Sequence, residues 1–252
     1  MELVDHLREL RYRVIVSLVV WLVISIACFV VYPQLIGLAT QPIQTAVQAY
    51  QASNPGQRVE LTTQGVMGGI NLWMKVPFIA GFIISCPFWL WQLWRFIVPG
   101  LLANEKRLAV RFLGSAIPLF LTGVVVGYWI SPKGFAAMLS LNPPGVLNLN
   151  DMNQFLSFEI RLLLVFGFSF LLPVILVTLN RLGIVKGEQL GKFRNIAIFL
   201  CFIFAAAATP STDPVSMCAL AVPMSVLYVI AEFIARRHDR AVAAKIAAGE
   251  IV

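Results

Sequence analysis

The sequence predicts an all-α integral membrane protein with six transmembrane helices, bent by prolines, in which the fifth and sixth helices form a short hairpin. Of the 252 residues, 59% are hydrophobic and only 12% are charged, and one soluble core of that length cannot bury so much apolar surface. We expect a single membrane domain over residues 1–252. The apolar residues form six stretches, at approximately 14–32, 70–96, 108–130, 155–179, 196–208 and 215–235.

Basic residues are distributed unequally between the two sides of this predicted bundle. Cytoplasmic loops retain Lys and Arg, whereas short exported loops rarely contain them. Of the 19 Lys and Arg, 15 fall on one side and Arg58 and Lys133 on the other, while Lys75 and Arg161 lie inside apolar stretches. We therefore expect both termini in the cytoplasm. This topology accounts for the net charge of +7 without a nucleic-acid partner, and the basic clusters suit an anionic lipid surface.

The first apolar stretch follows basic residues, as the core of a cleavable signal peptide does. It is longer than such a core, and Tyr32-Pro33 stands where the small residues of a cleavage site would be expected. We therefore interpret this stretch as a retained first transmembrane helix.

Three segments between or within the spans have distinctive lengths or turn signals. The first outer segment, 33–69, is expected to form a short helix over 43–52 that stops at 54–56. The second outer segment, 131–153, contains three prolines and is expected to form an ordered cap and not a long flexible linker. The fifth stretch has 13 residues and reaches about 20 Å as a helix, against a hydrocarbon core of about 30 Å. Either longer helices enclose it or the membrane thins there.

Prolines and glycines inside the apolar stretches predict the shape and packing of the helices. A proline removes a helix hydrogen bond and bends the helix, so we expect curved helices. The prolines concerned are Pro77, Pro87, Pro118 and Pro173. Gly123 and Gly127 form a GxxxG motif in the third stretch, which allows two helices to approach closely. We expect this motif to pack within the molecule in preference to forming a dimer contact.

Motifs of enzymes and metal sites are missing from the sequence. His6 and His238 are the only histidines, one near each end, so no Ser-His pair or histidine metal site can form inside the membrane. No P-loop, GxSxG or CxxC motif is present. The four cysteines are expected to be small core residues without a disulfide: Cys28, Cys86, Cys201 and Cys218. The sequence predicts a protein that is not an enzyme and that needs no cofactor or metal.

An aromatic segment precedes a lone carboxylate between the second and third stretches. Segment 85–97 contains three tryptophans, which favour the headgroup level of a membrane, and a Pro-Gly break separates it from Glu105. The basic residues around Glu105 predict that it faces the cytoplasm. Glu9, in the amino-terminal segment, is the second carboxylate expected there.

Six segments resemble the TatC component of the twin-arginine protein translocase. They are HLRELRYR (6–13), SCPFWLWQLWRFIVPGLLANEKR (85–107), FLTGVVVGYWISP (120–132), LSFEIRLLLVFGFSFLLPV (156–174), TPSTDPVSM (209–217) and AVPMSVLY (221–228). The resemblance implies a receptor that binds signal peptides with consecutive arginines and recruits TatA-like and TatB-like single-span partners for the export of folded precursor proteins. It also implies energy from the proton-motive force, a homo-oligomer within a larger complex, and the plasma membrane of a bacterium or archaeon.

The resemblance assigns signal-peptide binding to Glu9, Arg11, Phe96 and Glu105. Carboxylates suit this role because they accept paired, charge-assisted hydrogen bonds from the planar guanidinium group. Each glutamate also has a simpler interpretation. Glu105 follows Asn104 in the expected first turn of a helix, where capping and the helix dipole favour a carboxylate, and Glu9 can be a solvated residue between basic neighbours.

Several positions bear on contacts with partner proteins. Where the resemblance implies an acidic or amide side chain in the fourth stretch, this chain has Leu171 and Leu172. The acidic position implied for the sixth stretch corresponds to Val229, nearly one turn before Glu232. Asp213 does match an acidic position of the family, and it can equally be a turn residue before a proline.

Charged residues inside apolar stretches require partners. Lys75 and Glu159 are each expected about five residues below the outer surface, roughly 8 Å deep. We predict that they form an ion pair or that Glu159 lines an outer polar groove used by a partner helix; the alternative is that Glu159 extends to the interface. Arg161 lies about 200° around the helix from Glu159 and should reach the outer headgroups.

Two other classes of function are compatible with a multi-span protein. A small-solute secondary transporter would bring charged groups together at the middle of the bilayer, and the sequence shows no inverted pair of broken helices. An intramembrane hydrolase would need histidines in the apolar stretches, where this chain has none. The receptor therefore remains the expected function, with the transporter as its alternative.

Overall fold

The computed structural model describes residues 3–54, 59–63, 65–97, 105–140, 148–208 and 214–248. Over these ranges the chain is almost entirely helical. Its helices are α1 (Leu3–Val30), α2 (Tyr32–Ser53), α3 (Gly65–Ile84), α4 (Cys86–Ile97), α5 (Glu105–Ser140), α6 (Met152–Arg181), α7 (Gly187–Lys192), α8 (Arg194–Ala208) and α9 (Pro214–Ala247). Two short strands, β1 (Val59–Thr62) and β2 (Asn148–Asp151), complete it.

Four of the described helices are long and apolar enough to cross a membrane. The qualifying segments are Val4–Val30, Met67–Ile84, Phe112–Ser140 and Met152–Arg181. Helix α8 is apolar but has only 15 residues, which gives a length of about 22 Å. The short fifth helix of the prediction is therefore present. Its partner α9 is longer than predicted, because it continues as a polar helix to Ala247.

The second predicted span, 70–96, is two helices and not one. A turn at Ser85 separates α3 from α4, and the Ser85 carbonyl accepts the amide hydrogen bond of Phe88 at 2.9 Å. Pro87 accounts for the break, because in a continuous helix its ring would clash with the carbonyl of Ile83 and its nitrogen has no hydrogen to donate. Pro87 stands in the first turn of α4, where a missing N–H costs nothing.

Helix α2 is longer than the predicted helix over 43–52. It begins at Tyr32, directly after α1, with Pro33 in its first turn and Pro42 inside it. A proline is tolerated in a first turn because the amide there has no helical partner. The buried Ile43 and Ala46 pack in one cluster with Phe135 at the end of α5, so tertiary packing holds a helix that its prolines alone would not favour.

A short two-stranded parallel sheet accompanies the helices of the all-α fold. Strand β1 pairs with β2 in a register that places Val59 opposite Asn148 and Thr62 opposite Asp151. This pair lies beside the start of α6 and defines what we call the strand end of the bundle. Helix α5 was predicted to end at 130 and continues to Ser140 through Pro132, so part of the expected cap is helix. The opposite end, with the start of α1 and the end of α9, is the terminal end.

Helices α5 and α6 approach each other closely at glycines. A Cβ added at Gly123 would lie 2.5 Å from the carbonyl oxygen of Phe166, and one added at Gly127 would lie 3.2 Å from the Cβ of Phe166. The GxxxG motif therefore packs inside the molecule, as predicted. Of the four cysteines, Cys218 is exposed while the other three are buried, so the expectation of a core position is wrong for Cys218.

Candidate functional site

The carboxylate of Glu9 already has a partner in its own helix. The Arg13 guanidinium contacts Glu9 Oε1, and its Nε lies 3.1 Å from that oxygen. Arg13 Nη1 also donates to Gln92 Oε1 on α4 at 3.3 Å. The i,i+4 spacing of Glu9 and Arg13 indicated this pair in the sequence, and our sequence analysis missed it. Glu9 is thus not simply solvated, because it belongs to a polar link between α1 and α4.

Phe96 lies at the same contact between α1 and α4. Its ring stacks on that of His6, with ring centroids 4.5 Å apart and an angle of 16° between the planes. The structure therefore brings Glu9 and Phe96, two of the predicted binding residues, to one face of the bundle. Arg11 is exposed, and it points away from this face because two residues along a helix correspond to about 200° of rotation.

A groove opens beside these residues, between α1 and the pair α3 and α4. Its volume is about 210 Å³. Apolar side chains form most of its walls, including Leu10 and Val14 from α1 and Trp89 and Phe96 from α4. Arg13 and Gln92 supply polar groups, so the groove combines an apolar surface with the polar link that includes Glu9. This arrangement can hold an extended peptide that carries both a cation and apolar side chains.

Two predicted residues cannot be placed in this site. Helix α5 begins at Glu105, which agrees with a position in the first helical turn, but the side chain of Glu105 is outside the described part of the structure. Asp213 lies in the segment 209–213, which is also outside the described residues.

The expected ion pair between Lys75 and Glu159 is not formed. Lys75 Nζ lies 3.0 Å from the hydroxyl of Ser157, and that hydroxyl donates to the Asn153 carbonyl at 2.6 Å. Ser157 and Glu159 are two residues apart and so face different directions on α6. Equal depth therefore did not indicate an ion pair, because the depth of a residue along a helix does not determine which side of the helix it occupies.

Glu159 is instead enclosed between α5 and α6. Its side chain is 1% exposed, and neither carboxylate oxygen accepts a hydrogen bond from a residue that the structure describes. The nearby hydroxyl of Ser131 donates to the Tyr128 carbonyl at 2.9 Å. Glu159 therefore neither extends to the interface nor lines a groove open to a partner helix, and both of those expectations are wrong. Arg161 is exposed, and its contact with the outer headgroups stays a prediction.

A second polar cluster at the terminal end centres on Glu232 of α9. Glu232 is 2% exposed; Arg194 Nε and Nη2 donate to its two oxygens, each at 2.7 Å, and Arg236 Nε lies 2.8 Å from Oε1. The sequence showed Glu232 close to Arg236, and only the fold brings Arg194 to it across 38 residues. The cluster fastens the start of α8 to α9.

Asp239 makes a similar link one helical turn beyond this cluster. It accepts hydrogen bonds from the Gly187 amide at 2.6 Å and from Asn180 Nδ2 at 2.8 Å. Partial burial alone would raise the pKa of the Asp239 carboxyl group, but these hydrogen bonds outweigh it, so the pKa is lower than the ordinary value. The connection from α6 through α7 is therefore held against α9 by an ionised carboxylate.

Comparisons with known proteins agree with this architecture. The family model described as Sec-independent protein translocase protein (TatC) matches residues 5–223. A relative of that name from Frankia casuarinae is 37% identical over 96% of this chain and 68% of its own length, and one from Aquifex aeolicus is 32% identical over 95% and 97%. A crystal structure of the twin arginine translocase receptor TatC superposes with a TM-score of 0.75 at 31% identity, covering 92% of this chain and 98% of that one.

Proposed function

This chain belongs to the TatC family of Sec-independent protein translocases, and on that premise we propose that it binds twin-arginine signal peptides of precursor proteins at the groove between α1 and α4. The family is a non-enzymatic membrane component of twin-arginine translocation, so binding and assembly are the functions to be assigned to particular residues. The observation that carries the proposal is that Phe96 and Arg13 line one apolar groove and that Arg13 contacts Glu9.

The geometry of Glu9 supports a second guanidinium partner. Arg13 contacts Oε1, and an ionised carboxylate has acceptor sites on both oxygens. A signal-peptide arginine at Oε2 would gain a charge-assisted hydrogen bond without displacing Arg13. The apolar walls of the groove suit the apolar segment that follows the basic region of a signal peptide.

Glu105 is proposed as the carboxylate for the second arginine of the pair. Helix α5 begins at this residue, and α4, which carries Phe96, ends at Ile97 just before the intervening segment. Arg11 is exposed on α1 and does not line the groove, so it is proposed to act only through longer-range charge.

The proposed topology has six spans and both termini in the cytoplasm, with the terminal end of the bundle on the cytoplasmic side. The proposed partners are TatA-like and TatB-like single-span proteins, within a complex that contains more than one copy of this chain and is driven by the proton-motive force. Lys75 and Asp213 remain proposed contact residues for translocation partners, whereas Glu159 is too deeply buried for direct contact with one.

Binding of a twin-arginine peptide to the purified protein tests the function. We expect Glu105→Gln and Glu9→Gln each to weaken binding about tenfold or more, because each variant removes a charge-assisted hydrogen bond. Glu188→Gln is the matched control, since Glu188 is an exposed carboxylate on α7 at the same end of the bundle, and it should bind like the wild type. A peptide with two lysines in place of the arginines should bind weakly to all four proteins. Wild-type affinity in both Glu9→Gln and Glu105→Gln would overturn the assignment.

A further inference from the structure

A pocket of about 440 Å³ lies at the strand end, far from the groove beside Glu9. It is formed where α3 and the end of α5 meet the start of α6. Its polar wall includes Lys75, Asn153, Gln154 and Arg161, and its apolar wall includes Phe155. The pocket therefore offers cationic and apolar surface side by side.

Positive charge in this pocket is not neutralised by the described residues. Lys75 contacts the neutral hydroxyl of Ser157, and no carboxylate among the described residues pairs with Lys75 or Arg161. Asp151 is the one carboxylate among the described lining residues, and its Oδ1 is engaged by the amide of Asn153 at 3.0 Å. Two cations and one carboxylate leave a formal charge of +1, which calls for an anion.

The depth of the pocket indicates which anion is available there. Helix α6 has 30 residues and is about 45 Å long, which matches a bilayer of about 40 to 45 Å that includes its headgroup regions. The pocket residues of α6 lie within its first ten positions, or roughly the first 15 Å. That depth covers the headgroups and the upper acyl chains, where the phosphate of a phospholipid is the abundant anion.

We propose that this pocket binds an anionic phospholipid of the phosphatidylglycerol class, with its phosphate between Lys75 and Arg161. An acyl chain would continue past Phe155 along the apolar wall. Gln154 also lines the pocket and is exposed, so its amide can hydrogen-bond a hydroxyl group of the glycerol headgroup. The ammonium group of a zwitterionic lipid would instead meet two cations.

Lipid titration of the delipidated, detergent-solubilised full chain tests the proposal. Native mass spectrometry should show dioleoylphosphatidylglycerol bound at concentrations where dioleoylphosphatidylcholine is not. Because a basic side chain near a lipid surface contributes about 1 kcal/mol, Lys75→Gln and Arg161→Gln should each weaken phosphatidylglycerol binding about fivefold. Lys133→Gln is the control, because this lysine is also near the strand end but does not line the pocket. Its Nζ lies 4.6 Å from the ring centroid of Trp129.

The Arg161 variant makes the test decisive. Lys75→Gln alters the hydrogen bond to Ser157 and can lower stability, whereas Arg161 is exposed and makes no described hydrogen bond that its replacement would break. Unchanged phosphatidylglycerol binding in a folded Arg161→Gln protein would overturn the proposal. So would equal binding of the two lipids, or protection from thermal unfolding by inorganic phosphate as strong as that by phosphatidylglycerol, since the site would then bind soluble anions.

Discussion

At the scale of single residues, Glu159 shows the largest conflict between a side chain and its surroundings. A carboxyl group without hydrogen-bond partners is costly to bury, and the cost is larger when the group is ionised. The buried Ser131 of α5 lies next to Glu159, and Glu159 itself is only 1% exposed. A neutral side chain of the same shape should fit better.

We expect Glu159→Gln to raise the free energy of unfolding by about 1 to 3 kcal/mol at alkaline pH, because an amide costs less to bury than a carboxylate. Thermal unfolding in detergent at pH 9 would measure this. Glu60→Gln is the control, since Glu60 is exposed on β1 and its replacement should leave the midpoint unchanged. A lower midpoint for Glu159→Gln would show that the carboxylate has a stabilising partner.

The residue types in the sequence indicated some residues of the candidate site but not the contacts between them. The aromatic segment and the isolated glutamates were visible in the sequence, so Glu9 and Phe96 could be named before the fold was known. The stacking of His6 on Phe96 and the contact of Arg13 with Gln92 depend on how α1 crosses α4. No local pattern specifies that crossing, since it results from packing between segments about 80 residues apart.

At the scale of elements, the packing of α5 on α6 depends on small residues. Gly123 allows the backbone of α6 to approach so closely that a single added methyl group meets a carbonyl oxygen. On the same helix, a Cβ at Gly114 would meet nothing within 4 Å. Substitutions at these two glycines therefore distinguish the effect of close helix packing from the effect of the low helix propensity of glycine.

Gly123→Ala should lower the free energy of unfolding by about 1 to 3 kcal/mol, because the helices must separate to admit the methyl group. Gly114→Ala should leave it unchanged or raise it by up to about 1 kcal/mol, since alanine is the better helix former. Circular dichroism during thermal unfolding in detergent compares the two. Equal effects at both positions would mean that close approach contributes nothing at Gly123.

Element boundaries were predicted less well than element types. The apolar runs located the long helices because burial in lipid demands a continuous apolar surface. The turn at Ser85 and the start of α2 were missed, since both depend on prolines that can either stop a helix or begin one. Strands β1 and β2 have four residues each, too few for a period-two pattern to stand out.

At the scale of the whole molecule, the proposed topology places the strand end outside the cytoplasm. The 15-to-2 division of basic residues supports this orientation. The polar clusters of Glu232 and Asp239 then lie on the cytoplasmic side, where the extension of α9 is solvated. Each end of the bundle therefore offers an exposed position at which the orientation can be read.

Single cysteines in a cysteine-free background should report this topology. Glu60→Cys, on β1, should react with a membrane-impermeant maleimide in intact cells, and Glu188→Cys, on α7, should react only after the membrane is permeabilised. Both native side chains are exposed, so a difference in labelling between the two positions does not result from burial. Labelling of Glu188→Cys in intact cells would reverse the proposed orientation.

Polar interactions of different kinds hold the helices together at the two ends of the bundle. At one end, the backbone ladder of β1 and β2 joins residues that are 89 positions apart in the chain. At the other, Glu232 and Asp239 clamp the segment between α6 and α8 to α9. In mechanical terms, a bundle fixed in this way resists splaying and yields by bending. We therefore expect the bundle to deform at the breaks in its helices, Val31 and Ser85, before its ends separate.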